Sequence, residues 1–183
     1  MYMAWPAVPA THPDAPALEL LSWVLDNGRG SRLADAVYYR SNLASGVHAM
    51  FYGMDVGGLF VVRVTTERPR LAKAVRRTHK VLEGLRKRPV TADELARAKA
   101  MVAESIASRL DEPEARAELL AECMVAEGKA DCARDRWERM QAVSAADIER
   151  VLDLLGPDTR TTLSVVPRGQ GGALEGAAPV ELP

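Results

Sequence analysis

DAPALELLSWVLDNGRGSRLADAVYYRSNLASGV, residues 14–47, is the stretch whose reading decides the fold. Leu18, Leu21, Val24 and Leu25 recur at helical spacing, which predicts an amphipathic helix from about Ala15 to Asp26 with an apolar stripe that needs a partner surface. Asn27, Gly28 and Gly30 end it in a corner. A second helix is expected from about Ser31 to Arg40, capped by the Ser31 hydroxyl accepting from an unpaired N–H of the first turn. A polar turn then feeds a strand that starts near Gly46, so the nearest cover for the first helix is the β-hairpin that follows.

In that hairpin Val47, Ala49 and Phe51 alternate with His48, Met50 and Tyr52, the pattern of a strand with two differently dressed faces. Asp55 to Gly58 makes the turn. Leu59 to Thr66 (LFVVRVTT) is β-branched almost throughout, with Phe60, Val62 and Val64 on one face and Arg63 on the other. Upstream, Met1 to Pro6 (MYMAWP) also reads as a strand, followed by a Pro/Ala-rich loop that contains His12. No charged n-region precedes this strand, so no signal peptide is read here. A chain that opens inside a strand is expected to be a piece of a longer polypeptide.

Downstream the period changes to helical. Leu71, Val75, Thr78, Leu82 and Leu85 make one stripe of a helix from Arg70 to Arg88, whose other side is strongly basic. With no aromatic residue interleaved for base stacking, that side is read as solvated or facing another domain rather than as a nucleic-acid surface. Thr91 with Glu94, and Ser144 with Asp147, are capping-box signatures that each open a helix. Another helix starts at Pro113 and stops at Gly128, a shorter one surrounds Trp137, and Gly156-Pro157 ends the last before Arg160 to Val166 returns to strand.

At 183 residues, 48% hydrophobic and 27% charged, the chain supports one domain with a full core, here 1–167, followed by a Gly/Ala/Pro-rich tail, 168–183, that cannot fold alone. A formal net charge of −1 argues against nucleic-acid binding through bulk charge, and no apolar run is long enough to span a membrane. A soluble protein is expected, with the compartment, periplasmic or cytoplasmic, left open. Cys123 and Cys132 flank the Gly128 turn; they are read as unpaired, with a bridge as the alternative in an oxidising compartment. Trp5, Trp23 and Trp137 suit core packing or anchoring of a partner, and Trp23, inside the apolar helix, is read as core.

The pieces DAPALELL, GRGSRL and VYYRSNLASGV follow one another in the order D-x-x-A-L-x-L-L, G-x-S-S-R-L and L-R-E-K-x-x-L-A-Y-x-V. In that order the chain resembles the pitrilysin/insulysin-type zinc peptidases, the family of insulin-degrading enzyme and the mitochondrial processing peptidase. The likeness continues through Thr91 to Leu110 and Val143 to Pro167, nearly the whole chain. Element order and resemblance both imply an α+β domain, an antiparallel sheet with helices on one face, as in the metallohydrolase domains of mitochondrial-processing-peptidase-like proteins.

Active halves of that family carry H-x-x-E-H on a helix, two imidazoles gripping zinc beside a glutamate. This chain has His12, His48 and His79, none with a second histidine one helical turn away. His79 with Glu83 reads as a solvated helix pair, His48 as covering the sheet. The resemblance therefore implies the C-terminal, non-catalytic half: no enzyme on its own, no metal in this chain, zinc in a homologous partner half, and a peptide substrate enclosed between the two. Such halves contribute an arginine and a tyrosine near the scissile carbonyl, but those positions fall on Tyr38 and Ser45. Arg32 and Tyr39 share the spacing, yet Arg32 is read as pairing with Asp35 or contacting the cap region. Tyr38, Arg40 and Ser45 are the candidate substrate-binding residues of the chamber wall. The alternative is a catalytically dead scaffold, like the core proteins of the mitochondrial cytochrome bc complex.

Overall fold

Strands β2 (Gly46–Gly53) and β3 (Gly58–Thr65) form the expected hairpin in the computed structural model, which describes residues 1–167; the 168–183 tail lies outside the described residues. Val47 faces Val64 and Phe51 faces Phe60 across the ladder. The hairpin turn packs tightly on the loop after β1 (Tyr2–Ala7): a Cβ at Gly58 would stand 2.3 Å from the Val8 carbonyl oxygen and 2.8 Å from that of Tyr52, so only glycine fits. β1 pairs antiparallel with β3, and β4 (Thr161–Leu163) pairs antiparallel with the other side of β1, giving the order β2-β3-β1-β4. β4 is shorter than the predicted Arg160–Val166 because its ladder covers only Tyr2 to Ala4.

Helix α1 (Ala15–Leu25) packs against β2, and Leu18, Leu20, Leu21, Val24 and Leu25 are buried together with Met3, Phe60, Val62 and Val64. Each fully buried side chain of this size contributes about 1.5–3 kcal/mol of transfer free energy. Trp5 belongs to this core, edge-on to Phe60 with centroids 6.4 Å apart, and its Nε1–H donates to the Gly156 carbonyl at 2.9 Å. Trp23 is only partly buried, a departure from the core reading, because it lies at the edge of α1 beside a cleft.

The second predicted helix is present but not in regular α form. α2 (Arg32–Ala34) runs directly into a π-helical turn, Asp35–Tyr39, in which the Arg40 N–H donates to the Asp35 carbonyl at 2.9 Å. Ser31 does not cap it as predicted; its hydroxyl donates to the Gly28 carbonyl at 2.8 Å, tying the glycine corner instead.

A 3-10 turn (Arg68–Arg70) leads to α3 (Leu71–Lys87), which buries Leu71, Ala74, Thr78 and Leu85, with Val75 and Leu82 partly covered. α4 (Ala92–Asp111) and α7 (Ala145–Val151) start with both predicted capping boxes: Thr91 N–H donates to Glu94 at 2.9 Å and Ser144 N–H to Asp147 at 2.8 Å. α5 (Pro113–Glu127) and α6 (Cys132–Ala142) form a hairpin turned by Gly128 at φ 70°. Cys123 and Cys132 are bridged, correcting the unpaired reading: the turn brings their Cα atoms to 5.4 Å, and with Leu119 they form a small core separate from the main one.

Candidate functional site

Helix α1, the α2 and π-helical segment, and the 3-10 turn that follows α7 meet the sheet, on the face that carries Met3, Trp5, Phe60 and Val62, and the remaining helices pack around them. The opposite face carries Tyr2, Tyr52, Leu59 and Leu163, exposed by 37%, 49%, 40% and 51%, together with His48, Met50 and Arg63. Period-2 alternation places them there, since each faces away from the buried neighbours of its own strand.

Tyr38, Arg40 and Ser45 lie at the edge of this architecture and are not joined to one another by any hydrogen bond or ring contact. The Tyr38 ring stands edge-on to Tyr39, centroids 4.8 Å apart, and the Arg29 guanidinium lies 5.3 Å from the Tyr39 centroid. Arg40 Nε pairs with Asp35 at 2.7 Å while its side chain stays 75% exposed. Ser45 is used locally: its N–H donates to the Thr65 carbonyl at 2.8 Å, starting the β2–β3 ladder.

Arg32 pairs with Glu94 of α4 at 2.7 Å, not with Asp35, and also donates to the carbonyls of Arg88 and Pro89. Its apparent spacing with Tyr39 is a sequence coincidence, since the π turn intervenes and the two side chains have different partners.

The histidines are dispersed. His12 Nδ1 accepts from the Asp14 N–H at 3.1 Å at the start of α1. His48 Nδ1 lies 3.6 Å from Asp26 Oδ2, and that same carboxylate oxygen accepts the Ala49 N–H at 3.3 Å. His79 departs from the solvated reading: its Nε2 is buried without a partner, and burial, reinforced by the Arg160 charge, lowers its pKa and favours the neutral ring. Among the described residues no group of three His, Cys, Asp or Glu side chains could hold a metal ion, and no helix is long and apolar enough to cross a membrane.

Two clefts flank the helical layer. One, of about 1380 Å³, lies between α2 and α3 and is basic, lined by Arg76, Arg77, Lys80, Lys87 and Arg88. The other, of about 1090 Å³, lies between the outer side of α1, the edge strand β2 and the α5–α6 hairpin. Its arginines are spoken for: Arg109 holds Glu122 at 3.0 Å, Arg139 holds Glu127 at 2.9 Å, and Arg136 lies 3.4 Å from Glu127 and 3.8 Å from Glu122. Glu19, in the α1 wall, has no such partner among the described residues, and burial raises its pKa, with the Arg136 charge opposing the shift. The sequence reading missed Glu19. Its signal is a lone carboxylate in the apolar run LELLSW, on a face shared with Pro16, Trp23 and Asp26 at helical spacing.

A four-stranded antiparallel sheet with helices packed against it defines the class of domain, an α+β layer. The family model of the peptidase M16 inactive domain matches residues 1–102, more than half of the chain, and the chain belongs to that family. No curated protein matches the sequence. Solved structures share the fold. The inactive peptidase domain of a proposed zinc protease from Bordetella parapertussis is 23% identical with a TM-score of 0.73, over 92% of this chain and 94% of that one. The peptidase M16 inactive domain from Pseudomonas fluorescens is 20% identical with a TM-score of 0.74, over 91% of this chain and 42% of that one. A protease from Helicobacter pylori is 19% identical with a TM-score of 0.74, over 87% of this chain and 39% of that one. The chain thus spans about two fifths of the length of the last two.

Proposed function

We propose that this domain is the non-catalytic half of a zinc metallopeptidase, forming a wall of a peptide-binding chamber while a homologous zinc-bearing half carries out hydrolysis. The observation that carries this reading is the sheet face bearing Tyr2, Tyr52, Leu59 and Leu163, which no helix among the described residues covers. It offers a broad apolar surface to an extended peptide, suited to selection by shape more than by one side chain. Tyr38, Arg40 and Ser45 belong to this proposal as substrate-contacting wall residues. With a phenol and a hydroxyl where relatives are expected to hold an arginine and a tyrosine, the domain would contribute little charge to the transition state. That same substitution favours the second reading, a scaffold that pairs with a homologous half and cleaves nothing.

The test is reconstitution. The chain alone is expected to retain no zinc and to leave an unfolded peptide intact. Mixed with its zinc-bearing half, it is expected to give chelator-sensitive cleavage, and Tyr52→Thr, which places a β-branched residue in the strand, to reduce that cleavage with little change in melting temperature. Chelator-sensitive cleavage by the chain alone overturns the proposal, and a stable pair without cleavage selects the scaffold.

A further inference from the structure

The Glu19 cleft carries a more specific inference, which rests on the peptide-binding reading above. Three observations converge on it. The cleft is large enough for a long side chain, at about 1090 Å³. Its walls include Trp23, Phe51 and Met140, an apolar lining that suits a methylene stem. The Glu19 side chain lines the α1 wall of the cleft, half-buried, with no hydrogen bond or ion pair from any described residue, while the neighbouring arginines are each held by Glu122 or Glu127. A partly desolvated carboxylate at the wall of a cleft, with no donor from the protein, is open to a cation entering from outside.

Glu19 and Trp23 stand four residues apart on α1, so both project from one face, one turn apart along the helix. Met50 and Tyr52, which also belong to the uncovered sheet face, reach the lining of the same cleft. A peptide lying on that face therefore passes its entrance.

We propose that this cleft is a specificity pocket for an arginine or lysine side chain of a bound peptide, with Glu19 receiving the charged tip and Trp23 and Phe51 covering the stem. Planar guanidinium donors pair with a carboxylate and stack on an indole, so arginine is the better occupant.

The test uses the 183-residue chain and two fluorescein-labelled, unstructured Gly/Ser/Ala peptides, one with a single arginine and a twin with citrulline, its uncharged isostere. Anisotropy titration is expected to show the arginine peptide binding about tenfold more tightly, the size of one charge-assisted hydrogen bond. Glu19→Gln is expected to bring arginine-peptide binding down to the level of the citrulline peptide, and Glu19→Asp to retain part of the preference. Equal binding of the two peptides by the parent chain overturns the pocket but leaves the peptide-binding wall standing. Binding of neither overturns both. An arginine preference that survives in Glu19→Gln removes Glu19 from the role.

Discussion

Arg32 and Glu94 hold the start of α2 to the start of α4 through two parallel hydrogen bonds, Arg32 Nε to Glu94 Oε1 and a terminal guanidinium nitrogen to Oε2, both 2.7 Å. Glu94 is at the same time the third residue of the α4 capping box, so one carboxylate closes a helix end and clamps two segments 62 residues apart. The Arg32 bonds, the Thr91 N–H, the Arg32 charge and the Thr91 hydroxyl together outweigh desolvation and hold its carboxyl at about 2 instead of 4.5.

A depressed carboxyl pKa stabilises the fold above the unfolded value and loses that contribution as pH falls through the folded one. Acid unfolding of the parent is therefore expected to draw on Glu94 between about pH 4.5 and about 2. Glu94→Gln is expected to cost on the order of 2 kcal/mol at pH 7, measured by urea unfolding, with most of the difference gone at pH 2, whereas Arg32→Ala keeps part of its cost there because the Arg88 and Pro89 carbonyls do not titrate. A constant difference across that range would show that the clamp works by packing and not by charge.

Glu19 makes the opposite prediction. Its folded pKa is raised, so over a window above the ordinary glutamate range the folded chain keeps a proton that the unfolded chain has lost. Stability then falls as pH rises through that window and stays lowered above it. Glu19→Gln is expected to be at least as stable as the parent at pH 7 and to melt with a flatter pH dependence from pH 4 upward. A clear loss of stability in Glu19→Gln at pH 7 would reveal a protein donor to that carboxylate.

The α5–α6 hairpin has its own small core of Leu119, Cys123 and Cys132, closed by a bridge that spans nine residues. A loop of that size is worth about 2–3 kcal/mol in the unfolded chain, and here the effect is local to the hairpin. Protein purified without reductant is expected to show no free thiol by Ellman titration, and Cys123→Ala with Cys132→Ala to be cut faster by protease near Gly128. Two thiols titrating in the native protein would remove the bridge.

Gly58 and Gly57 form a matched pair of substitutions. A Cβ at Gly58 meets two backbone oxygens that cannot yield, whereas at Gly57 the nearest atom is the Ala7 oxygen at 3.9 Å. Gly58→Ala is expected to cost roughly 2–3 kcal/mol, and Gly57→Ala within about 0.5 kcal/mol, both read from chemical denaturation.

The sequence by itself determined the elements whose signals are local. Alternation fixed the faces of β2 and β3, Thr91 and Ser144 announced their capping boxes, and the missing H-x-x-E-H together with the ordered motifs pointed to the inactive peptidase half before any contact was known. Tertiary structure decided what depends on partners far along the chain. Ser31 looks like a cap until the π turn sends its hydroxyl to Gly28, Arg32 has an acid three residues away yet finds Glu94, and Cys123 meets Cys132 because the Gly128 turn folds α5 onto α6. Glu19 is the clearest instance: within LELLSW it is one polar letter in an apolar helix, and only the tertiary structure sets it in the wall of a cleft between α1, β2 and the α5–α6 hairpin, partly desolvated and with no donor among the described residues. Periodicity is written in neighbouring residues, whereas desolvation depends on which distant segments exclude water from a given atom, and no local pattern records that.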